Sequence, residues 1–219
     1  MKRFVGRQQR KNWLRLVVAL SFVLVHNAGP LAALALNKEE PSGFLRSDPD
    51  GNPARWNPCA RLKWKLVGAG ISGVGRDAVS SAVKSMMLAT GLVFTYEEGG
   101  LASDLRAQLD DTLVIGLAPK NVNTRVAGTT RVKYDVSLPR VIRIASATIT
   151  LNPDIFRHRS HSFNFVMPVL LHELGHSVGL SHVADPADIM YPKIVNRVQY
   201  QQSDIVKLAR VGASNGCVS

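Results

Sequence analysis

Between positions 61 and 67 apolar and basic residues alternate, with Leu62, Trp64 and Leu66 set against Arg61, Lys63 and Lys65. A period of two predicts a strand with one buried face. Gly68, Gly70, Gly73 and Gly75 then predict a loop. After them Val74, Ala78, Val79, Ala82, Val83, Met86 and Met87 recur three and four apart, the spacing of a helix of about four turns that Gly91 stops. The methionines fall on its apolar stripe and need no ligand role. Residues 92–97 alternate again as a second strand. The apolar run Thr112–Leu117 predicts a third, and strand-like runs cover 125–134 and 141–151. Residues 164–178 predict a helix with Pro168 in its first turn, since deeper in it a proline removes a hydrogen bond and clashes. A last helix is expected over 203–211, capped by Ser203, with Ile205, Leu208 and Ala209 as its apolar stripe.

Charge changes the picture at the front of the chain. Lys2, Arg3, Arg7, Arg10, Lys11 and Arg15 form a basic region without an acidic residue; an apolar run over 16–25 and the small-residue site Ala33-Leu34-Ala35 follow. This is the pattern of a signal peptide, with cleavage expected after Ala35. The alternative is an uncleaved membrane anchor over 13–36, although His26, Asn27, Gly29 and Pro30 interrupt that stretch. Without the first 35 residues, the net charge falls from +11 to +5, with 21 basic residues against 16 acidic. No basic run with interleaved aromatics remains, so no nucleic-acid partner is expected. About 184 residues would be left, enough for one domain with a single core. Residues 36–58, rich in Pro, Gly, Asp, Asn and Ser, predict an extended leader ahead of a domain over 59–219.

The two cysteines are Cys59 and Cys217. An even count in an exported chain suggests a disulfide joining the ends of the domain. A free Cys59 thiolate held on a metal is the alternative.

The chemistry concentrates in His172-Glu173-Leu174-Gly175-His176-Ser177-Val178-Gly179-Leu180-Ser181-His182. His172 and His176, four apart, share one helix face and can reach one ion. Gly179 can end the helix in a backbone conformation that most residues avoid, so the chain can turn back and deliver His182. Three imidazoles leave one position open on a zinc ion, as catalytic sites do and structural sites do not. Glu173, beside the first ligand, is placed to take a proton from water that the zinc activates. His158 and His161 stand in the basic run 157–161 and are expected to be exposed loop residues, like His26 without a ligand role.

Filled at every fixed position, and followed by Asp188-Ile189-Met190-Tyr191-Pro192, this stretch resembles the extended zinc motif and methionine turn of the metzincin peptidases. The Met-Tyr-Pro and its spacing look most like the matrixin branch, and the compact, microbial members within it. The resemblance implies an α+β domain: a twisted five-stranded mixed sheet with about three helices and a shallow cleft at the metal. It implies one catalytic zinc on His172, His176 and His182, with Glu173 as general base, Met190 as an apolar floor, and Tyr191 and Pro192 as walls of the S1′ pocket. Animal matrixins carry a second, structural zinc and several calcium ions ahead of their last two strands. Residues 118–140 here have no histidine and one acidic residue, Asp135, so no structural zinc is expected and calcium is doubtful.

The implied activity is that of a secreted, monomeric zinc endopeptidase hydrolysing internal peptide bonds of protein or peptide substrates, without stable membrane contact once the signal is removed. An extended substrate would add as a strand at the sheet edge, with residues 126–129 as the candidate. Two other readings are cleavage of peptidoglycan cross-links, for which no wall-binding repeat is present, and metal binding without catalysis, which gives Glu173 no purpose.

Overall fold

The alternating run near Cys59 forms β1 (Lys63–Val67). The glycine-bounded apolar stripe forms α1 (Gly73–Thr90), and Gly91 closes it at φ 69°. There follow β2 (Thr95–Tyr96), the one-turn α2 (Asp104–Ala107), β3 (Thr112–Leu117), β4 (Gly128–Asp135) and β5 (Arg143–Leu151). Then come α3 (Phe163–Ser177) and α4 (Gln202–Arg210). In this computed structural model the described residues are 43–68, 71, 73–101, 103–107, 109–119, 126–138, 140–156 and 163–218, within the compact unit Asn37–Ser219. The stretches expected as a signal peptide or anchor and as the first residues of a leader, together with His26, His158 and His161, lie outside them.

The strands make one mixed sheet in the order β2-β1-β3-β5-β4, parallel throughout except for β4, which pairs antiparallel with β5. Burial follows that order. Of the three inner strands, β3 and β5 are covered nearly end to end, as strands with both faces packed must be. β1, flanked on one side only by the two-residue β2, is half covered. β4, at the edge, alternates half-buried with exposed residues over 128–133, so its even-numbered side chains face the protein. α1 and α3 pack against each other, and the core joins them to the sheet through Val79, Met86, Leu113, Ile149, Leu170 and Leu174. No helix among the described residues is long and apolar enough to cross a membrane.

Several details differ from the pattern-based expectations. Val74 is 71% exposed because the buried stripe of α1 runs through Gly75, Ala78, Val79, Ala82, Val83 and Met86, one residue further on. β2 is only two residues long; Leu92 and Phe94 reach the core from irregular chain before it. α2, too short to show a period, is an added element. α3 begins at Phe163, so Pro168 is its sixth residue and not in its first turn. The carbonyl that Pro168 leaves unserved belongs to exposed Asn164, where water can satisfy it. α4 is capped at Gln201, whose backbone N–H donates to the Asp204 carboxylate at 2.9 Å; Ser203 lies inside the helix and donates its hydroxyl to Asp188. The stripe of α4 is accordingly Asp204, Leu208 and the following Val211, with Ile205 outside.

Residues 43–58, expected as an extended leader, contain no long strand or helix, yet Phe44 and Trp56 are fully buried in the core. Phe44 bridges antiparallel to Leu180, and the Trp56 indole donates to the Ser177 carbonyl at 2.9 Å. Aromatic burial outweighs the turn-rich composition of this stretch.

Cys59 and Cys217 are joined in a disulfide across 158 positions of sequence. The Arg55 guanidinium donates to the carbonyls of Asn215 and Gly216, a second tie between the same ends. Closing so long a loop removes unfolded-state entropy equivalent to about 4–5 kcal/mol in the chain-entropy picture. Mild reduction is therefore expected to lower the melting temperature by many degrees while the metal content stays unchanged, because the bridge touches no residue of the histidine cluster. Calorimetry with parallel metal analysis checks this; an unchanged melting temperature contradicts it.

Candidate metal centre

α3 brings His172, Glu173 and His176 to the wall of a cleft, and its C-terminus delivers the third histidine. At that end the Gly179 N–H donates to the His176 carbonyl and the Leu180 N–H to the Gly175 carbonyl, both at 3.0 Å. These are the paired bonds of a Schellman stop, and they require the positive φ of 109° at Gly179. A side chain at Gly179 would also meet the Ala54 carbonyl. The reversed chain is fixed by pairing with 43–45: the Leu45 N–H donates to Gly179 O at 2.8 Å and the Ser181 N–H to Gly43 O at 2.9 Å. His182 follows directly.

The three Nε2 atoms form a triangle with every side 3.2 Å. Two rings are locked from behind. His172 Nδ1–H donates to the Ile189 carbonyl and His176 Nδ1–H to the Leu180 carbonyl, both at 2.8 Å. A ring whose Nδ1 carries the proton presents a bare Nε2 lone pair. Three lone pairs so close repel unless a cation lies among them. Nitrogens about 2.0–2.1 Å from a tetrahedral zinc ion stand about 3.3 Å apart, so the triangle fits. Burial, partly offset by the Ile189 bond, holds the His172 pKa below its usual value. Burial first, and then the neighbouring His172, push His176 down to about 3. Both rings are thus neutral near pH 7, the state a metal ligand needs. Among the described residues, His172, His176 and His182 are the group that could hold a metal.

Glu173 is buried, and burial pushes its carboxyl up to about 7 against the opposing pull of the Thr130 hydroxyl. That hydroxyl donates to Glu173 Oε2 at 2.6 Å. Gly128 lies against the same side chain: a Cβ there would sit 2.8 Å from Glu173 Cγ and Oε1.

The chain after His182 loops under α3. The Val183 N–H donates to the Met190 carbonyl at 3.0 Å, and Met190 is fully buried. A methyl at Gly175 would land on the Met190 sulfur, so the absence of a side chain admits the methionine. Overpacking costs about 1–3 kcal/mol, against about 1 kcal/mol gained by alanine over glycine in a helix. Gly175→Ala is expected to lower thermal stability, and to cost less in a chain that already carries Met190→Ala. Additive losses in the double variant would show that the two residues do not press on each other.

This loop is anchored by residues whose roles the sequence motif does not disclose. Asp204 Oδ2 accepts the Ile189 N–H at 3.1 Å, and the carbonyl of that same Ile189 holds His172. Buried Asp188 pairs with Lys207 at 3.0 Å. The Tyr200 hydroxyl donates to the Leu171 carbonyl at 2.9 Å. Only Asp204 left a signal, as an acidic residue in a helix's first turn.

The cleft has a volume of about 750 Å³ and is lined by β4, the three histidines, Glu173, Pro192 and Ile194. Pro192, expected as a wall of the S1′ pocket, is one of the residues that line the cleft. Tyr191, half-buried beside it, does not line the cleft.

The matrixin family matches the chain over residues 94–211, more than half of its length and all of the histidine motif and methionine loop. No curated protein sequence matches it.

Proposed function

The chain belongs to the matrixin family, whose members are zinc metallopeptidases, and from that membership and the centre just described we propose that it is a secreted endopeptidase with Glu173 as general base. The observation that carries the proposal is the triangle of Nε2 atoms, 3.2 Å on a side, with two rings held from behind by backbone carbonyls. His172, His176 and His182 would hold the metal. A zinc ion there supplies a Lewis acid for the scissile carbonyl and makes water acidic enough to ionise near neutral pH.

The chain's own groups do the rest. Glu173 takes the proton of the attacking water and returns it to the departing amine. Its raised pKa, about 7, suits both halves of that exchange. Met190 forms an apolar floor, packed on Gly175 between the two helical histidines. Pro192, with Ile194 beside it, walls the S1′ side of the cleft. β4 is an edge strand along the cleft, so an extended peptide can add to it near residues 126–129. The basic-then-apolar start of the chain and the disulfide support export, since such bridges persist in oxidising compartments.

The test is digestion of an unstructured protein such as casein by the purified mature chain, with and without a zinc chelator. Cleavage at internal bonds, lost on chelation and regained with zinc, is the expected result. Cleavage that survives full removal of metal rules the proposal out.

A further inference from the structure

We propose that Thr130 is a positioning residue for Glu173, so that the edge strand which walls the cleft also sets the carboxylate that moves the proton. The inference rests on the reading of Glu173 as general base. Glutamate on a helix has three rotatable side-chain torsions, and nothing within α3 fixes them. Among the described residues the side chain that hydrogen-bonds the Glu173 carboxylate is Thr130, two strands away in space from the centre of the sheet.

The contact is specific in two ways. The Thr130 hydroxyl lies 2.6 Å from Glu173 Oε2 and 3.1 Å from the backbone carbonyl of the same residue. One side chain thus spans both ends of the glutamate and restricts every torsion between them. The hydroxyl's single proton serves the nearer, charged partner, the stronger bond of the two. Thr130 is itself held: it pairs with Ile149 of β5, and β-branching stiffens its χ1. Two residues earlier on the same face, Gly128 leaves the room that the glutamate occupies. With Oε2 taken by Thr130, Oε1, lying against Gly128, is the oxygen left for proton transfer.

A merely structural tie between β4 and α3 would predict a loss of stability alone. Positioning predicts a loss in kcat. The experiment uses the full mature chain carrying Thr130→Val, Thr130→Ser, Glu173→Ala and the Val/Ala double variant. Each is assayed for kcat and KM on one peptide, zinc content, and thermal unfolding after chelation. Loss of one hydrogen bond to a charged group corresponds to about a tenfold change. Thr130→Val should therefore lower kcat about tenfold, leaving KM and zinc content within twofold. Thr130→Ser, which keeps the hydroxyl, should recover most of the rate. In the Glu173→Ala background Thr130→Val should cost no further residual rate, and less melting temperature than in the wild type, because only the weaker bond to the Glu173 backbone carbonyl remains to be lost.

Wild-type kcat in Thr130→Val, a serine variant as slow as the valine one, or an equal loss without Glu173 would each overturn the proposal. If the valine variant fails to fold, Thr130→Ala answers the same question. A wild-type chain that cleaves nothing sinks the peptidase reading. The melting-temperature cycle then still decides whether Thr130 and Glu173 are coupled, and additive effects would overturn this inference on their own.

Discussion

His176→Ala is expected to release zinc and abolish peptide hydrolysis together. His176 supplies one corner of the nitrogen triangle, and its other ring nitrogen ties the centre to the turn at Leu180. Removing a group that only orients a ligand typically costs 10–100-fold in metal affinity, and removing the ligand should cost at least on the order of 100-fold. The Leu180 carbonyl would also lose its imidazole donor, at the point where the chain turns towards His182. Dialysed wild-type protein should retain one zinc per chain, and the variant little. Zinc resupplied after chelation should restore the wild type and not the variant. Acid gives a second readout. With its pKa pushed down to about 3 by burial, folded His176 resists a proton that the unfolded chain takes up near its ordinary 6.5. The stability it contributes is present above about pH 6.5 and is lost as pH falls towards 3. In chelated protein His176→Ala should remove that share of the acid sensitivity. A variant that keeps its zinc and its rate would sink the assignment.

Glu173→Gln should separate binding from chemistry. The substitution keeps shape and hydrogen bonding but removes the proton carrier, which typically contributes on the order of 10²–10⁴-fold. Zinc content should not change, because Glu173 is not part of the nitrogen triangle. Stability should change in the opposite sense to activity. Burial raises the carboxyl from its ordinary 4.5 to about 7, so the folded chain holds this proton more tightly than the unfolded chain does. Its stabilising contribution is complete below about pH 4.5 and is lost as pH rises through 7. Ionised at pH 8, it then disfavours the metal-free fold by about 3 kcal/mol, as a pKa difference of this size implies. Chelated Glu173→Gln should therefore melt higher than wild type at pH 8 and at nearly the same temperature at pH 4. Activity within a few-fold of wild type would rule out the role of base. A lower melting point at pH 8 would show that the carboxylate is not strained by its burial.

The sequence by itself determined what depends on local spacing. His172 and His176 share a face because a helix has a fixed period. Gly179 ends that helix because the stop needs a positive φ, and the motif carries its own geometry. Thr112–Leu117 was legible as a strand because its continuous apolar run matches a strand buried on both faces. The even cysteine count left two readings open, and only the folded chain brings Cys59 to Cys217 across 158 positions.

What the sequence could not show depends on residues distant in the chain. Phe44 and Trp56 lie in a turn-rich stretch, and their burial follows from the space beside Leu180 and Ser177. Ser203 precedes a helical pattern as a cap would, but its hydroxyl goes to Asp188, and the cap lies two residues earlier, at Gln201. Tyr191 and Pro192 are neighbours in the motif, and only the fold decided which of them lines the cleft. Thr130 stands 43 positions from Glu173, in an exposed-looking strand with no motif around it. Period and propensity describe a residue's neighbours along the chain. Hydrogen bonds between separate elements depend on sheet register and helix placement, which are set by the packing of the whole core.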